Sequence, residues 1–385
     1  MYHDRGVGGL SEYGDGTRCV HAGLPPAQPG EPFLPGPVFA APYHLDPQAG
    51  PAGAADRYGR TDNPTLRGLE GAIGELEGGE CVVFSSGMAA ISAALLTLLS
   101  PGDQLLLPAD GYYNTRTFAE GALVRLGVTV RTAPTAGPYP PLPGIRMVLL
   151  ESPANPGLDV CDIAELAGAA RRAGALLAVD NTTATPLGQQ PLALGADLVV
   201  ASGTKALVGH SDVLLGYAAA APEIADPLRR WRNLTGAVPG PFEVWLAHRS
   251  LSTLDLRLAR QEENAEAIAG LLVQRPEVTG VRWPGLLGHP GFEVASRQMR
   301  RRPGVVTFTL PDAAHVTRFL RASRMVFSAT SFGGTHTSAD RRAQWGDPVP
   351  EGLVRLSCGI EDRADLVADL TRALDAALEG AASDG

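Results

Sequence analysis

The chain has 385 residues, 44% of them hydrophobic and 19% charged, a composition typical of a soluble globular protein with a large core. Its formal net charge of −9, without runs of basic residues, argues against binding along a nucleic-acid backbone or to an anionic membrane surface. The four widely spaced cysteines form no CxxC pair, which excludes the usual zinc-ligand spacing and gives no sign of a disulfide-stapled domain, so we expect no metal site.

The N-terminal segment, residues 1–59, is rich in glycine and proline and has little periodicity. We therefore expect an extended arm that packs on a folded domain, with a neighbouring subunit as one possibility. The segment lacks the apolar stretch of a signal peptide, and the longest apolar run of the chain, Met88 to Leu99, is too short to cross a bilayer. The expected location is the cytoplasm.

Residues 60–250 alternate between short apolar runs and helical patterns, which predicts an α/β domain. The predicted strands are Cys81–Phe84, Gln104–Leu107, Val128–Thr132, Arg146–Leu150, Leu176–Val179, Asp197–Ala201 and Val213–Ala218. Helical stretches between them cover 87–99, 115–126 and 162–173. Strands that are apolar on both faces and separated by helices indicate a mostly parallel sheet, in which ligands bind at the carboxyl ends of the strands.

Residues 251–385 are predicted to form a connecting long helix and a smaller α+β domain. The helical pattern opens at Pro241 and runs to about Leu272. The strands predicted after it are Val305–Leu310 and Leu353–Ser357, and the predicted helices cover 312–322 and 362–378.

Candidate site residues follow the first predicted strands. Gly87 and Met88, in Ser85-Ser86-Gly87-Met88, begin a helix, where backbone N–H groups bind anions and where a serine is also an ordinary helix cap. Tyr112 follows the second strand, where it would stack on a flat ring or pack as a half-buried core residue. Asn155, in Glu151-Ser152-Pro153-Ala154-Asn155-Pro156, would hydrogen-bond a ligand oxygen or make a turn.

Asp180 ends the buried strand Leu176–Val179. As a magnesium ligand in a P-loop enzyme it would need a GxxxxGK[ST] loop, and the chain has none. Two interpretations remain: a carboxylate that keeps a pyridinium nitrogen protonated, as in pyridoxal 5′-phosphate (PLP) sites, or a cap of the following turn.

Lys205 is the only lysine among 32 lysine and arginine residues. Arginine replaces lysine as a charge but not as an amine that must lose its proton, so a lone lysine is a candidate for chemistry. It follows a strand in Ser202-Gly203-Thr204-Lys205, where two hydroxyls beside a glycine suit a phosphate. An amine that forms a Schiff base with an aldehyde fits this environment.

These residues belong to motifs that resemble the Cys/Met-metabolism PLP-dependent enzymes, most closely the cystathionine γ-lyases among them. The resemblance runs in order from Thr17 to near the C-terminus; its segments include TRCVHAG (17–23), RYGRTDNPT (57–65), SSGMAAI (85–91), ESPANPGLDVCDI (151–163), VDNTTATP (179–186), SGTKALVGHSD (202–212), SFGGT (331–335) and RLSCGIED (355–362). It implies the fold type I architecture of PLP-dependent transferases, with an arm, a large cofactor domain and a small C-terminal domain.

The resemblance also implies roles for individual residues. Lys205 would bind the cofactor covalently and move protons, Asp180 would pair with the pyridine nitrogen, and Tyr112 would stack on the ring. The phosphate would be held by Gly87, Met88, Ser202 and Thr204, and by Tyr58 and Arg60 of a neighbouring subunit. The α-carboxylate or a ring oxygen would be bound by Asn155, Ser331 and Arg355. Members are usually tetramers of two such dimers.

The implied activity is γ-elimination of cystathionine to cysteine, 2-oxobutanoate and ammonia. The motifs leave open γ-substitution, as in cystathionine γ-synthase or an O-acyl-homoserine sulfhydrylase, methionine γ-lyase activity, a specialised relative, or a non-catalytic PLP-binding protein. Three features depart from the family pattern and bear on the substrate: Tyr113 and Asn114 replace glycines, Arg116 is one position early, and His336 stands where many relatives have glutamate.

Overall fold

The computed structural model of the protein describes residues 10–48 and 56–379. Residues 1–9 and 49–55 of the predicted arm, and residues 380–385, lie outside the described residues. Within the described ranges, the structure has no helix with the length and apolar character needed to cross a membrane.

The larger sheet has seven strands, and all but one of them are parallel. Its strands are β1 (Glu80–Phe84), β2 (Gln104–Pro108), β3 (Thr129–Ala133), β4 (Met147–Glu151), β5 (Leu176–Asp180), β6 (Leu198–Ala201) and β7 (Gly216–Ala220). They lie in the order β1-β7-β6-β5-β4-β2-β3, with β7 antiparallel to both of its neighbours. The predicted mostly parallel sheet is thus confirmed.

Helices cover both faces of this sheet, as its doubly apolar strands require. The helices from the N-terminal segment to the end of the sheet are α1 (Asp15–His21), α2 (Pro64–Glu77), α3 (Gly87–Leu98), α4 (Tyr113–Phe118), α5 (Ile163–Ala173), α6 (Thr185–Gly188) and α7 (Pro222–Thr235). A π-helical turn, Ala119–Leu123, continues α4.

The smaller, five-stranded sheet is formed by β8 (Thr279–Arg282), β9 (Val305–Thr309), β10 (Phe327–Ser328), β11 (Ser338–Arg341) and β12 (Leu353–Ser357). Its order is β10-β11-β12-β9-β8, antiparallel except for the β10–β11 pair. Against it pack α11 (Ala313–Ala322) and α12 (Arg363–Glu379), while α10 (Phe292–Gln298) contacts the larger domain. The two sheets fall within the predicted domains 60–250 and 251–385, whose exact boundaries stay predictions.

The helical pattern that begins at Pro241 forms two helices, α8 (Pro241–Leu251) and α9 (Leu254–Val273), where one long helix was predicted. The break follows from side chains that compete for backbone groups. Ser252 Oγ donates to the carbonyl of Arg249 and Thr253 Oγ1 to that of Ser250, while the buried Arg257 also donates to the Ser250 carbonyl.

Two smaller differences concern strand and arm positions. Strand β7 begins at Gly216, whereas the sequence predicted a start at Val213. The reason is that the backbone N–H and C=O of Leu215 are both hydrogen-bonded to Thr204 Oγ1. The arm, predicted as extended, contains α1 and a 3-10 turn at Leu10–Glu12.

A buried acid at the end of α2 makes stability depend on pH. Glu77 is 1% exposed, Tyr217 donates its hydroxyl to Oε1 at 2.6 Å, and burial raises the pKa of Glu77 to about 7 despite that hydrogen bond. The unfolded value is about 4.3. Because the folded form binds more protons between these values, the free energy of unfolding falls as pH rises from about 4.3 to 7, by about 4 kcal/mol.

We therefore predict that Glu77→Gln, which keeps an oxygen for Tyr217 and carries no charge, gains stability relative to the wild type as pH rises. The gain between pH 5 and pH 8 should be about 2 to 3 kcal/mol in urea unfolding. The exposed Glu80→Gln is the control and should show no such gain. Equal pH dependence in the wild type and Glu77→Gln would contradict the assignment.

Candidate active site

Lys205 lies in a tight turn directly after β6. Its N–H donates to the carbonyl of Ser202 and its own carbonyl accepts from Gly209 N at 2.9 Å. Its Nζ is 5.6 Å from the ring centroid of Phe332. Burial lowers the pKa of Lys205, and the Arg355 guanidinium lowers it further against the opposing Asp180 carboxylate. The amine is therefore more readily deprotonated than an exposed lysine, as a nucleophile requires.

Asp180, the last residue of β5, is 8% exposed. Its Oδ1 accepts from both Thr182 N, at 3.0 Å, and Thr182 Oγ1, at 2.5 Å. Burial raises the pKa of Asp180, while the Thr182 hydrogen bonds and Lys205 oppose that rise. A cationic partner in the site would favour the ionised form further.

Thr182 connects this carboxylate to the lysine loop. Its Oγ1 accepts from Ser202 N at 2.8 Å, so a chain of hydrogen bonds runs from Asp180 through Thr182 to Ser202. The alternative sequence interpretation, Asp180 as a turn cap, is thus also realised, because the carboxylate bonds the N–H two residues on. Oδ1 of Asp180 accepts both hydrogen bonds from Thr182, which leaves Oδ2 for a ligand.

The N-terminus of α3 meets the lysine loop. Ser86 caps the helix by accepting from Ala89 N at 3.1 Å, so its ordinary capping role is realised as well. A Cβ on Gly87 would lie 2.7 Å from Ser202 Cβ, so only glycine allows this approach. The N–H groups of Gly87 and Met88 belong to the first helical turn, which lacks intrahelical acceptors, and they share an anion-binding corner with Ser202.

The Thr204 hydroxyl is hydrogen-bonded to the backbone of Leu215, the residue directly before β7. Its Oγ1 donates to the carbonyl of Leu215 at 3.1 Å and accepts from Leu215 N at 2.9 Å. This hydroxyl therefore fixes the lysine loop against β7, a contact that the local sequence does not reveal.

Tyr112 follows β2 and is held at both ends. Its N–H donates to Glu151 Oε2 at 2.6 Å, and its hydroxyl accepts from Asn114 Nδ2 at 2.8 Å. Tyr113 packs edge-on against the Tyr112 ring, with centroids 5.2 Å apart. The two residues that replace the family glycines thus both contact Tyr112.

Glu151 joins Tyr112 to the opposite side of the site. Its Oε1 accepts from Asn155 N at 2.8 Å. Burial raises the pKa of Glu151 well above its ordinary value, and the Asp180 carboxylate, its neighbour across β4 and β5, raises it further.

Arg355 on β12 is buried against Asn155 and Ser331. Its NH1 donates to Asn155 Oδ1 at 2.7 Å and its NH2 to the carbonyl of Ser331 at 2.9 Å. Its Nε has no hydrogen-bond partner although it is buried. The Phe332 ring centroid lies 5.2 Å from the Arg355 guanidinium carbon and 5.6 Å from Lys205 Nζ. Ser331 adopts a left-handed φ of 78°, a strained conformation of the kind that clusters at ligand sites.

A buried ion network lies behind Arg355. Asp340 is paired with Arg355 across β11 and β12, with Oδ1 3.3 Å from NH2. Its Oδ2 accepts from Arg342 NH1 and Trp345 Nε1, both at 3.0 Å, and Arg342 also binds Asp347 at 2.6 Å. Asp340, Arg342, Trp345 and Asp347 all lie in the segment 339–352, which thus supplies the ion pair to the Arg355 guanidinium.

Tyr58 and Arg60 lie at the protein surface. Tyr58 is 47% exposed, and the Arg60 guanidinium sits 5.5 Å from its ring centroid. Arg60 NH1 donates to the carbonyl of Asn233 at the end of α7. Neither residue has a described contact with Lys205 or Asp180 of the same chain.

The departures from the family pattern have distinct surroundings. Arg116 NH1 donates to the carbonyl of Gly111, and Arg116 lines a small cavity together with Tyr112, Glu151 and Asp180. His336 is exposed, with its ring edge-on to Phe327 and Nδ1 3.3 Å from Thr335 Oγ1.

These residues fit PLP. The lysine is buried beside a carboxylate, the glycine at the N-terminus of α3 leaves its corner open to an anion, and Arg355 has an unpartnered buried N–H. Lys205 would hold the aldehyde carbon, Asp180 the ring nitrogen, Tyr112 the ring face, and the corner of Gly87, Met88 and Ser202 the phosphate. These assignments are proposals.

Sequence reasoning missed several residues of the site. It assigned no role to Glu151, Thr182 or Asp340, although the first two stand inside quoted motifs. The signal that identifies Glu151 and Thr182 is their position at or just after the end of a buried strand, like that of Asp180. Asp340 has no such signal, because only the β11–β12 register places it beside Arg355.

Comparisons with known proteins point to the same chemistry. Residues 40–375 match the model of the family described as "Cys/Met metabolism PLP-dependent enzyme". A "Putative cystathionine gamma-lyase" of Streptomyces coelicolor is 54% identical over 97% of either chain. A cystathionine gamma-synthase of Mycobacterium tuberculosis is 40% identical over 97% of this chain and 100% of its own length.

The fold has close relatives among solved structures. A methionine gamma lyase from Micromonospora echinospora superposes with a TM-score of 0.88 at 36% identity, over 95% of this chain and all of that one. The names of these three relatives state three different activities.

Proposed function

The chain belongs to the Cys/Met metabolism family of PLP-dependent enzymes, and on this premise we propose that it eliminates the γ-substituent of cystathionine. Cystathionine and water would give cysteine, 2-oxobutanoate and ammonia. The observation that carries the proposal is the convergence of Lys205, Asp180 and Arg355 on one site within a chain 54% identical to a protein named for this activity.

The cofactor, when bound, withdraws electrons from the carbons next to the substrate amine. The protein must then position the substrate and move protons. Lys205 Nζ would take the proton from Cα and shuttle protons at Cβ and Cγ, a role that the lowering of its pKa by burial supports. Tyr112, with its hydroxyl bonded to Asn114, would assist proton transfer at the sulfur side.

Arg355 is the proposed anchor of the α-carboxylate. Its guanidinium forms a fork that matches a carboxylate, and its free Nε–H supplies the first donor. Asn155 and Ser331 hold the guanidinium by their oxygens. Asp340 Oδ1 lies 3.3 Å from NH2, the nitrogen that also donates to Ser331, and this ion pair would help to orient the guanidinium toward the substrate.

A second candidate is γ-substitution, in which a nucleophile replaces the leaving group that elimination expels. The 40% identity to a cystathionine gamma-synthase favours it, since both reactions use the same residues. The contacts of Tyr113 and Asn114 with Tyr112 favour a third candidate, an altered substrate.

We also propose an assembly of at least two subunits in the cytoplasm. Tyr58 and Arg60 lie on the surface, where they would reach the phosphate of a second subunit's cofactor. A tetramer formed from two such dimers is the expected state. Light scattering that gives an active monomer would contradict this arrangement.

Turnover of cystathionine with product identification tests the proposed function. Cysteine and 2-oxobutanoate are the expected products. Homocysteine and pyruvate would indicate β-elimination, and net synthesis of cystathionine from an O-acyl-homoserine and cysteine, without elimination, would favour the synthase. No reaction with cystathionine would overturn the proposal in favour of a specialised substrate.

The contact between Asn114 and the Tyr112 hydroxyl leads to a modest prediction. Asn114→Ala removes one hydrogen bond worth about 1 kcal/mol, so kcat/KM should fall by about fivefold. Thr117→Ala, an exposed change on the same helix, is the control and should leave kcat/KM unchanged. An Asn114→Ala enzyme with wild-type kcat/KM would show that this contact has no role in turnover.

A further inference from the structure

One face of α9 carries three buried polar side chains that the proposed chemistry does not use. Arg257, Gln261 and Asn264 are 4%, 1% and 0% exposed. Their spacing of four and three residues puts them on the same side of the helix. A helix that points such a row into the protein interior must satisfy it with hydrogen bonds.

Two of these side chains, Arg257 and Gln261, donate to carbonyls of the two loops that carry Lys205 and Ser331. Arg257 donates from NH1 to Ala206 O at 2.7 Å and from NH2 to Leu207 O at 3.0 Å, the two residues that follow the catalytic lysine. Gln261 Nε2 donates to Gly334 O at 2.8 Å and, at 3.4 Å, to Gly333 O.

The third side chain reaches the loop after β12, the strand of Arg355. Asn264 Nδ2 donates to the carbonyls of Gly359 and Glu361, both at 3.0 Å. One rigid helix therefore binds the loop of the cofactor lysine, the loop of Ser331 and the loop behind Arg355.

Two of these loops also touch each other directly. A Cβ on Gly333, which has a φ of +80°, would lie 2.4 Å from Ala206 N. No side chain fits between the lysine loop and the Ser331 loop, so a shift of either loop moves the other. The two loops are therefore fixed to each other by this contact and to α9 by Arg257 and Gln261.

The polar face is built at an energetic cost. Burial lowers the pKa of Arg257 to about 10, and its side chain donates to three carbonyls and the Thr253 hydroxyl. Buried charges and amides are retained where their hydrogen bonds have a task. The geometry here points to a task in placing the loops.

We propose that Arg257, Gln261 and Asn264 are positioning residues that set the distance between Lys205 and the carboxylate site of Ser331 and Arg355. The inference rests on the proposed function, since it gives these residues their roles. Its consequence is that Gln261, which touches no substrate, determines how strongly the enzyme prefers ligands with an α-carboxylate.

The test compares two ligands that differ only in the carboxylate, L-norvaline and butan-1-amine. Their dissociation constants for the PLP-loaded protein are measured by the change in cofactor absorbance, so no turnover is needed. Gln261→Met removes both N–H donors at similar volume. Gln190→Met is the matched control, because the Gln190 amide also donates to a carbonyl, that of Leu76, away from the site.

We expect the preference for norvaline over the amine to fall at least tenfold in Gln261→Met, with the affinity for the amine within threefold of wild type. Gln190→Met should keep the full preference. If Gln261→Met does not fold, Gln261→Leu, which is also uncharged and has no donors, replaces it. An unchanged preference in the folded variant overturns the inference, and so does an equal loss for both ligands.

The outcome of this binding test does not depend on whether the protein cleaves cystathionine. A wild type that discriminates the two ligands through Gln261 but does not cleave cystathionine would overturn the γ-elimination and leave the positioning role in place. If the wild type cleaves cystathionine and Gln261→Met keeps its full preference for norvaline, the proposed reaction stands and the positioning role of Gln261 is overturned.

Discussion

Replacing Lys205 by alanine is expected to lower kcat by at least about 10⁴-fold, at the upper end of what a general acid–base group supplies. The chain offers no substitute, since no other residue of the 385 is a lysine. The absorbance band of the lysine-bound cofactor should disappear with the activity. Loss of turnover and colour together is the result that assigns both roles to one amine.

Lys205→Arg is the sharper variant, because it keeps the positive charge and the length of the side chain. An arginine does not lose its proton at any working pH, so it should be as inactive as alanine. Borohydride reduction of the PLP-loaded wild type should label a single side chain, and both variants should escape that label. A Lys205→Arg enzyme with measurable turnover would show that charge alone suffices and would contradict the assignment.

Asp180→Asn is expected to lower kcat by about 10²-fold, the value of one charge-assisted hydrogen bond in a buried site. Asparagine has the same shape and keeps an oxygen for Thr182, but it has no negative charge to hold a ring nitrogen protonated. Cofactor binding should weaken less than turnover, because the phosphate corner at Gly87 remains. Turnover and cofactor dissociation constant are measured on the same preparation.

Asp197→Asn is the control for this effect. Asp197 also accepts a backbone N–H, that of Leu177 at 2.8 Å, but it lies at the opposite end of the strands from the site. Its replacement should change stability slightly and leave kcat as in the wild type. A kcat for Asp180→Asn within threefold of the wild type would contradict pairing with the ring nitrogen.

Many features of the fold and site could be predicted from the sequence because they are local. The apolar runs around Leu177 and Val199 show buried parallel strands, and in such a sheet the residues after each strand meet at one edge. Asp180 ends strand β5 and Lys205 lies in the turn that follows β6, so their meeting follows from the strand pattern alone. Because Lys205 is the only lysine, a chemical role for it could be predicted without any knowledge of the fold.

The errors were equally local in origin. The break between α8 and α9 is set by Ser252 and Thr253, whose side chains bond preceding carbonyls within an otherwise continuous helical pattern. The late start of β7 depends on a hydroxyl eleven residues earlier in the chain, at Thr204. Periodicity detects neither effect, because it counts apolar residues and not hydrogen bonds.

Residue types, strand ends and the family resemblance of the motifs thus predict from the sequence a PLP-dependent α/β enzyme, with Lys205 and Asp180 as its proposed central residues. The supports of the site became visible only in three dimensions: Asp340 beside Arg355, Asn114 on the Tyr112 hydroxyl, and Gln261 on the Ser331 loop. The physical reason is that a catalytic group must be of one chemical type, which the sequence displays. A positioning group needs only a hydrogen bond at the right place, and the Gln261 bond joins residues 73 positions apart in the chain.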